Sequence, residues 1–247
     1  MKYVAKQYWD ERFKKDLSIA SVGNASYGME YNRWMYKRKD DCQEIIFYGV
    51  KLCDKNVLDV GCGIGHWLGW FKGKHVRTIA GVDISSVAID GIRKMFPVWQ
   101  DVKLFNLDIV DSYPEVNDLN GFDIVNAWDI LPHIVDDDDA IRALQNMHSC
   151  LAYGGWLVIS DQFGRKYSRI NSEHVHVRSI SFYDGVMENI GFRHIKPIYP
   201  VFKNLNYDKT TPAIDNNKGY DYYLLDSKLV EPSEDNTSVT VFQKTKE

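Results

Sequence analysis

The sequence is poor in cysteine, basic tracts and long apolar runs. Its four cysteines, Cys42, Cys53, Cys62 and Cys150, form no Cys-x-x-Cys pair and no cluster with histidines at metal-ligand spacing. We therefore expect free thiols in a reducing compartment and no metal site. The formal net charge is −4, and with no basic tract the chain is not expected to bind nucleic acid.

Membrane and export signals are missing as well. No apolar run approaches the roughly 18 residues that a membrane span needs, and residues 1–6 have no apolar core of a signal peptide. We expect a cytoplasmic protein without a membrane partner. The chain has 247 residues, 45% of them hydrophobic, and no repeat or Pro/Ser-rich linker. This composition is ordinary for one globular domain with an extra segment.

Residues 1–50 mix aromatic side chains with charged ones and are predicted as an N-terminal helical cap, with the best helical stretch at 31–48. In one interpretation the aromatic side chains pack against the main domain. In the other, Tyr27, Tyr31 and Trp34 form a lid over a ligand and contact the substrate.

From residue 56 onward, short β-rich runs alternate with helical stretches. The predicted strands cover 57–60, 77–82, 102–107, 122–128 and 156–160, and the predicted helices cover 66–71, 86–95 and 136–151. This alternation is typical of a parallel sheet that is covered on both faces by helices. Aspartates 136–139 suit the positive end of a helix dipole. Because consecutive residues at a helix start point in different directions, we prefer this interpretation to a metal cluster.

The last part of the chain predicts a change of strand direction. A helix at 181–190 and a strand around 193–201 are followed by a polar insertion near 203–236 and by an alternating strand at 237–244. Two late strands joined by a loop imply an antiparallel pair. The predicted fold of residues 51–247 is a three-layer, Rossmann-like α/β core with the last strand antiparallel to the rest.

Three glycines, Gly61, Gly63 and Gly65, directly follow the first predicted strand and precede a helix. Without Cβ atoms they allow a sharp turn and a close approach of a ligand at the carboxyl end of the strand. A dinucleotide fingerprint would need glycine where the chain has His66, so NAD is disfavoured. A phosphate loop is excluded because no Gly-Lys-Ser/Thr follows.

Acidic residues follow the next two predicted strands. Asp83 could accept both hydroxyl protons of a ribose, and the alternative, that it caps the next helix, suits Ser85 better. Asp108 could accept from an adenine amine with Ile84 and Ile109 against the ring faces, or it could cap the following turn.

Five motifs in this order resemble the class I S-adenosylmethionine-dependent methyltransferases: Asp59-Val60-Gly61-Cys62-Gly63-Ile64-Gly65, Val82-Asp83-Ile84-Ser85, Asp108-Ile109, Phe122-Asp123-Ile124-Val125-Asn126-Ala127-Trp128-Asp129 and Leu151-Ala152-Tyr153-Gly154-Gly155-Trp156-Leu157. The match runs over roughly residues 56–202, and the strand at 237–244 matches the closing strand of the family. The resemblance implies a seven-stranded sheet, with the seventh strand antiparallel, and S-adenosylmethionine as cofactor.

The resemblance also implies roles for the motif residues. Asp59 and the loop of Gly61, Cys62, Gly63 and Gly65 would lie near the amino-acid part of the cofactor, Asp83 on the ribose and Asp108 on the adenine. Asn126 and Trp128 are placed at the same site, with the indole lining the cofactor or packing beneath it.

Methyl transfer to a hydroxyl needs a base near the end of the fourth strand, and the candidates are His133, Asp129 and, after the fifth strand, Asp161. We favour His133, because its unperturbed pKa of about 6.5 suits proton abstraction near neutrality; the alternative is that it only shapes its loop. Residues 126–129 lack the Asn/Asp-Pro-Pro-aromatic pattern of many DNA and protein amide N-methyltransferases, which argues against those substrates.

Residues after the fifth strand are assigned to the acceptor. Asp161, His174, His176 and Arg178 are the candidates, and Arg165, Lys166 and Arg169 add positive charge, which suggests an anionic acceptor. The chain is similar to small-molecule methyltransferases of bacterial glycan and secondary-metabolite pathways, which favours O-methylation of a sugar-like metabolite. N-methylation, cofactor binding without methyl transfer, an oxidoreductase and a homodimer are left open.

Overall fold

A mixed sheet forms the centre of the computed structural model, which describes residues 3–24, 27–111, 119–203 and 216–246. In chain order the strands are β1 (Asn56–Val60), β2 (Thr78–Asp83), β3 (Val102–Asn106), β4 (Phe122–Ala127), β5 (Leu151–Asp161), β6 (Arg169–Ser172), β7 (Val175–Val177), β8 (Phe192–His194), β9 (Tyr199–Lys203) and β10 (Asn236–Lys244).

The strand order is β3-β2-β1-β4-β5-β10-β8, and β9 also pairs with β10. Strands β1 to β5 are parallel, and β10 runs antiparallel to β5, β8 and β9. Because β8 and β9 lie one after the other along the same edge of β10, the sheet is seven strands wide. The predicted fold is confirmed, except that the strand expected around 193–201 is broken into two.

Helices cover both faces of the sheet. They are α1 (Ala5–Lys15), α2 (Ile19–Val22), α3 (Met29–Ile46), α4 (His66–Gly73), α5 (Ser86–Met95), α6 (Asp137–Cys150), α7 (Ile180–Ile190) and α8 (Gly219–Asp226). Adjacent residues of β1 point to opposite faces: Val57 belongs to the core beneath α3, α4 and α5, and Leu58 to the core beneath α6 and α7. The alternation along a strand therefore builds two cores and three layers.

The predicted helix starts have the expected caps. The Ser85 hydroxyl accepts a hydrogen bond from the N–H of Ala88, and the Asp136 carboxylate accepts one from the N–H of Asp139. Both side chains satisfy a donor that the first helical turn leaves free. Ser85 also donates to Asp10 at 2.5 Å, which ties α1 to the start of α5.

Three parts of the structure differ from the expectation. β5 begins at Leu151, directly at the end of α6 and before the predicted strand at 156–160, so it includes Gly154, with φ +77° at a point where the register with β4 shifts. The hairpin of β6 and β7 was not expected. Within the predicted insertion, residues 204–215 lie outside the described residues, and α8 packs on α3.

None of the helices in the described ranges is long and apolar enough to cross a bilayer. The cytoplasmic location and the division of the chain at residue 50 stay predictions.

We expect the Ser85→Ala substitution to lower the free energy of unfolding by about 1 kcal/mol, because it removes the cap of α5, together with its bond to Asp10. Urea denaturation followed by circular dichroism measures this loss. The control is Ser149→Ala, whose hydroxyl bonds a carbonyl of its own helix and should change stability by less than about 0.5 kcal/mol. Equal effects of the two substitutions would contradict the assignment of the cap.

Candidate active site

A cavity of about 800 Å³ opens at the carboxyl ends of β1, β2 and β4. This is where the strand order reverses, the usual ligand position in an open α/β sheet. Eight of the predicted cofactor residues line it: Gly61, Cys62, Gly63, Asp83, Ile84, Asp108, Ile109 and Trp128. Both predicted base candidates, His133 and Asp129, line it as well. The sequence motifs thus meet at one place.

The glycine loop needs glycine for two reasons. Gly61 and Gly63 have φ values of +69° and +51°, a region that other residues rarely adopt. A Cβ atom on Gly61 would lie 1.9 Å from Cδ1 of Ile130, so a side chain there would also collide with the loop after β4. Gly65, with φ +86°, precedes α4 and is not among the lining residues.

Asp83 is held by backbone donors on both carboxylate oxygens. Oδ2 accepts from the N–H of Gly63 at 2.8 Å, and Oδ1 accepts from the N–H of Ser85 at 2.8 Å. Burial raises the pKa of Asp83 to about 6, so the group is ionised at neutral pH. Since a carboxylate oxygen accepts more than one hydrogen bond, Asp83 can still receive two hydroxyl groups from the cavity.

Asp108 combines the two roles that the sequence left open. Its Oδ1 accepts from the N–H of Val110 at 3.0 Å, which closes the turn after β3, and its side chain also lines the cavity. Burial raises its pKa. Ile84 and Ile109 provide apolar contacts beside it.

Asp59 and Asn126 lie beneath the cavity instead of in its lining, at the end of a buried chain of hydrogen bonds. Trp128 Nε1 donates to Gln43 Oε1 at 2.9 Å, and Gln43 Nε2 donates to Asn126 Oδ1 at 2.9 Å. Asn126 Nδ2 then donates to Asp59 Oδ1 at 2.8 Å. Oδ2 of Asp59 is buried and has no hydrogen-bond partner among the described residues.

Asp129 is a fixed negative charge at the end of β4. Its N–H donates to Ser160 Oγ at 2.8 Å, and that hydroxyl donates back to Oδ1 at 2.9 Å. Lys39, itself buried, donates to Oδ2 at 2.5 Å. Burial raises the pKa of Asp129, but the Lys39 ammonium outweighs this and holds it below the usual range. Both carboxylate oxygens are already engaged, by Lys39 and by Ser160, so the geometry does not favour Asp129 as the base.

His133 lies in a short 3₁₀ turn, Leu131–His133, and faces the cavity. Its Nδ1 is 3.0 Å from the carbonyl oxygen of His174. Because a carbonyl only accepts, Nδ1 carries the proton and Nε2 carries a lone pair. Burial lowers the pKa of His133 to about 4, and the indole of Trp9 packs edge-on against the ring at 5.0 Å. The imidazole is therefore neutral at physiological pH, but its lowered pKa makes it a weaker base than the ordinary pKa of about 6.5 on which the sequence-based preference rested.

The three aromatic residues predicted as a lid lie elsewhere. Tyr31 packs against Tyr222, with ring centroids 6.0 Å apart, and Trp34 against Tyr220 at 4.7 Å. Tyr27 packs on Tyr31. None of the three predicted lid residues is among those lining the cavity, because Tyr31 and Trp34 lie on the side of α3 that packs against α8.

The cover of the cavity comes instead from α1 and the residues before it. Tyr3, Trp9 and Phe13 line the cavity. Tyr3 donates to the carbonyl of His133 at 3.3 Å, and Lys6 donates to the carbonyl of Ile84 at 3.1 Å. These contacts attach α1 to both sides of the opening.

Of the residues assigned to the acceptor, Arg178 is a structural group. Its fully buried guanidinium pairs with Asp137 at 2.8 Å and donates to the carbonyls of Leu131 and Ile134 at 3.0 and 2.8 Å. Leu131 and Ile134 belong to the loop that carries His133, and Asp137 is the first residue of α6. The expectation that Arg178 contacts the acceptor is therefore not met, because its donors are engaged inside the protein.

The other acceptor candidates also make internal bonds. Asp161 is buried and accepts from the Tyr183 hydroxyl at 2.7 Å, and burial raises its pKa to about 7. His176 Nδ1 donates to the carbonyl of Val135 at 2.9 Å, and His174 stacks on Tyr8 with centroids 4.7 Å apart. Asp161, His174 and His176 are not among the lining residues, whereas Ile170, Ser172 and Glu173 of the β6–β7 hairpin are.

The charge around the cavity is acidic. The lining contains Asp83, Asp108, Asp129, Asp136, Asp138, Asp139 and Glu173, against Arg142. The basic residues that suggested an anionic acceptor, Arg165, Lys166, Arg169 and Arg178, are absent from that lining. Among the residues that the structure describes, no group of three or more His, Cys, Asp or Glu side chains is arranged to hold a metal ion.

Sequence reasoning missed the polar residues of α3. Tyr36 and His66 line the cavity, and His66 Nε2 is 2.7 Å from Asp40 Oδ1. Lys39 and Gln43 are buried on the inner face of the same helix. The available signal was the spacing of Tyr36, Lys39 and Gln43, which places polar groups in the apolar stripe of an amphipathic helix.

Comparison with known proteins places this arrangement in a family. The family model described as a methyltransferase domain matches residues 31–196. The ubiquinone biosynthesis O-methyltransferase of Coxiella burnetii (strain Dugway 5J108-111) is 32% identical over 111 residues, which are 45% of this chain and 45% of that protein. A tRNA U34 carboxymethyltransferase of Vibrio cholerae is 26% identical over 184 residues, 69% of this chain and 55% of that protein. These matches cover about half the length of each relative.

Solved structures share the fold over nearly the whole chain. The N-methyltransferase NodS from Bradyrhizobium japonicum WM9, in complex with S-adenosylhomocysteine, superimposes with a TM-score of 0.64 at 13% identity and covers 98% of both chains. Magnesium protoporphyrin IX methyltransferase from Synechocystis PCC 6803, with bound S-adenosylmethionine, has a TM-score of 0.62 at 12% identity and covers 97% of this chain and 95% of that one.

The predicted family and its cofactor are thereby confirmed, while the individual roles of the site residues stay predictions. The glycine loop, the two strand-end aspartates, the antiparallel last strand and the match over residues 31–196 lead to one conclusion. The chain belongs to the methyltransferase-domain family, and its fold is that of S-adenosylmethionine-dependent methyltransferases of known structure.

Proposed function

We propose that the protein methylates a hydroxyl group of a small, polar, uncharged acceptor such as a sugar. The observation that carries this proposal is the neutral imidazole of His133, whose Nε2 lone pair is available at the cavity. The cofactor supplies an electrophilic methyl group on a sulfonium, so the protein has to bind, orient and remove one proton.

The residues around the cavity fit the cofactor. We assign Asp83 to the ribose hydroxyls and Asp108 to the adenine amine, with Ile84 and Ile109 against the ring. The loop from Gly61 to Gly63 would hold the amino-acid part, where the unpartnered Oδ2 of Asp59 lies beneath it. Without Cβ atoms, Gly61 and Gly63 let a ligand approach the backbone of this loop closely.

His133 would act as the base and Asp129 would support it. His133 Nε2 would take up the proton of the acceptor hydroxyl, while the methyl group would pass to the acceptor oxygen from the sulfur of the cofactor, whose carbon–sulfur bond would break. The carboxylate of Asp129 favours the charged imidazole, in the way that a fixed anion stabilises a cation that forms during reaction. Lys39 and Ser160 keep this carboxylate in place.

The acidic lining favours an uncharged acceptor over an anionic one, because carboxylates repel negative charge. The kinship with a ubiquinone biosynthesis O-methyltransferase supports a hydroxyl acceptor. An amine acceptor is the second candidate, since the same carboxylates suit a cation and NodS is an N-methyltransferase. The acidic lining and the net charge of −4 support a small molecule rather than tRNA.

We expect the His133→Gln substitution to lower kcat by about 100-fold or more, because the base is lost, while the affinity for S-adenosylhomocysteine stays unchanged. The assay incubates the protein with S-adenosylmethionine and a panel of hydroxylated and amine metabolites, and measures S-adenosylhomocysteine formation and methylated product by mass.

The control for this prediction is His174→Gln, which keeps the carbonyl that orients His133. In the wild type saturated with S-adenosylmethionine, kcat/KM for the acceptor should stay level from pH 8 to about pH 5, because a base with a pKa of about 4 is deprotonated throughout this range. Full activity of the His133→Gln variant would refute the assignment of His133 as the general base. Methylation of amines alone would favour the second candidate, and tight cofactor binding without any product would favour a binding protein.

We expect Asp83→Ala to weaken binding of S-adenosylhomocysteine at least tenfold, about 1.4 kcal/mol, because two ribose contacts and the support of Gly63 are lost. Isothermal titration calorimetry measures the change. Asp101→Ala is the control, since Asp101 is exposed and pairs with Lys72. The wild-type protein is also titrated with NAD by calorimetry. Binding of NAD in place of S-adenosylhomocysteine would exclude the proposed chemistry.

We expect Arg178→Met to lower the free energy of unfolding by about 2 to 3 kcal/mol, because two buried carbonyls and Asp137 lose a charged donor. Urea denaturation measures this, with the exposed Arg169→Met as the control. A stable Arg178→Met protein that requires more acceptor to reach half-maximal rate would instead support a direct acceptor contact.

A further inference from the structure

The buried chain of hydrogen bonds from Trp128 to Asp59 has a fixed direction. An indole N–H can only donate, so the bond from Trp128 forces the oxygen of Gln43 toward it and the nitrogen of Gln43 toward Asn126. Asn126 must then present its own nitrogen to Asp59. The indole at the cavity thus determines that Asp59 Oδ1 acts as an acceptor.

The other oxygen of Asp59 is not satisfied. Oδ2 is buried and lacks a hydrogen-bond partner among the described residues, and the nearby carboxylate of Asp83 adds a like charge. A buried carboxylate without a cation is costly and becomes neutral by taking up a proton. Burial accordingly raises the pKa of Asp59 to about 8.

The remaining titratable groups around Asp59 do not supply a cation. Cys62, in the loop above it, and Tyr36, on α3, are uncharged, because burial raises the pKa of each. The ammonium of Lys39 is bound by Asp129, and His66, on α4, is paired with Asp40. A cation for Asp59 therefore has to come from a ligand.

Residues next to Asp59 line the cavity, although Asp59 itself does not. Asp59 is two residues before Gly61, and Cys62 and Tyr36, whose pKa values the carboxylate of Asp59 helps to raise, both line the cavity. The cofactor carries an ammonium group on its amino-acid part, the part expected at this loop. We propose that Asp59 is protonated in the cofactor-free protein and releases this proton to the solvent when the ammonium of the cofactor binds, with Gln43 as the positioning residue that orients Asp59 for this exchange.

The inference depends on the use of S-adenosylmethionine and not on the acceptor. The test therefore needs no turnover. S-adenosylhomocysteine is titrated into the protein by calorimetry in buffers of different ionisation enthalpy, and the dependence of the binding enthalpy on the buffer gives the number of protons released. A group with a pKa of about 8 predicts release of about 0.9 proton at pH 7 and about 0.1 proton at pH 9.

5′-Methylthioadenosine is the control ligand because it lacks the ammonium group. It reports any contribution of Asp83, whose pKa of about 6 predicts release of about 0.1 proton at pH 7. Equal proton release by the two ligands would overturn the proposal. Failure of the wild type to bind S-adenosylhomocysteine would instead refute the use of the cofactor, so the two failures are distinguishable.

Two variants test which group releases the proton and how the buried chain of hydrogen bonds is oriented. Asp59→Asn keeps the size of the side chain, and its proton release should fall to the value seen with methylthioadenosine. Release that persists would show that the proton comes from the ligand ammonium or another group. If this variant binds too weakly to titrate, the difference between the two ligands in the wild type still decides.

Gln43→Glu tests the positioning role. A carboxylate still accepts from Trp128 but cannot donate to Asn126, so Asn126 must turn its oxygen toward Asp59 and stabilise the protonated form. The pH at which proton release is half-maximal should move upward by about one pH unit. A residue that only filled space would not move it, and Gln43→Met, which fills the same volume without hydrogen bonds, should show a smaller shift. An unchanged midpoint in Gln43→Glu would refute the role of Gln43.

Discussion

The need to satisfy polar groups buried at the ends of β1 and β4 organises the site. Asp59, Asn126 and Asp129 all lie where the sheet reverses its strand order, and none of them can be left without partners in an apolar core. The inner face of α3 meets this need with the amide of Gln43 and the ammonium of Lys39. α3 thus forms one wall of the cavity, and its side chains orient the polar groups at the ends of β1 and β4.

A second set of internal bonds holds the loop after β4. The guanidinium of Arg178 donates to the carbonyls of Leu131 and Ile134. The imidazoles of His133 and His176 each donate to a backbone carbonyl, and these two hydrogen bonds connect the loop to the β6–β7 hairpin. The bond from His133 selects the tautomer that leaves Nε2 free. Arg178 and His176, which the sequence suggests as acceptor-binding groups, therefore hold the loop that carries His133.

The acidic charge of the cavity has the same structural origin. Basic side chains such as Lys39 and Arg178 are buried against internal acceptors, while carboxylates such as Asp83, Asp108 and Glu173 remain at the lining. The cofactor is a cation at its sulfonium and ammonium, and an acidic cavity suits it. The same field acts on the acceptor, and it favours an uncharged or cationic molecule over an anion.

The sequence by itself determined what is local: the strand-and-helix alternation, the glycine turn and the acidic residues that follow β2 and β3. Parallel strands end at one edge, so Asp83 and Asp108 had to meet there. Only the tertiary structure decided which distant side chains serve the site. Gln43 and Asn126 are 83 positions apart, and Arg178 and Leu131 are 47 apart. Such pairings depend on how helices pack on the sheet, and local patterns do not encode them.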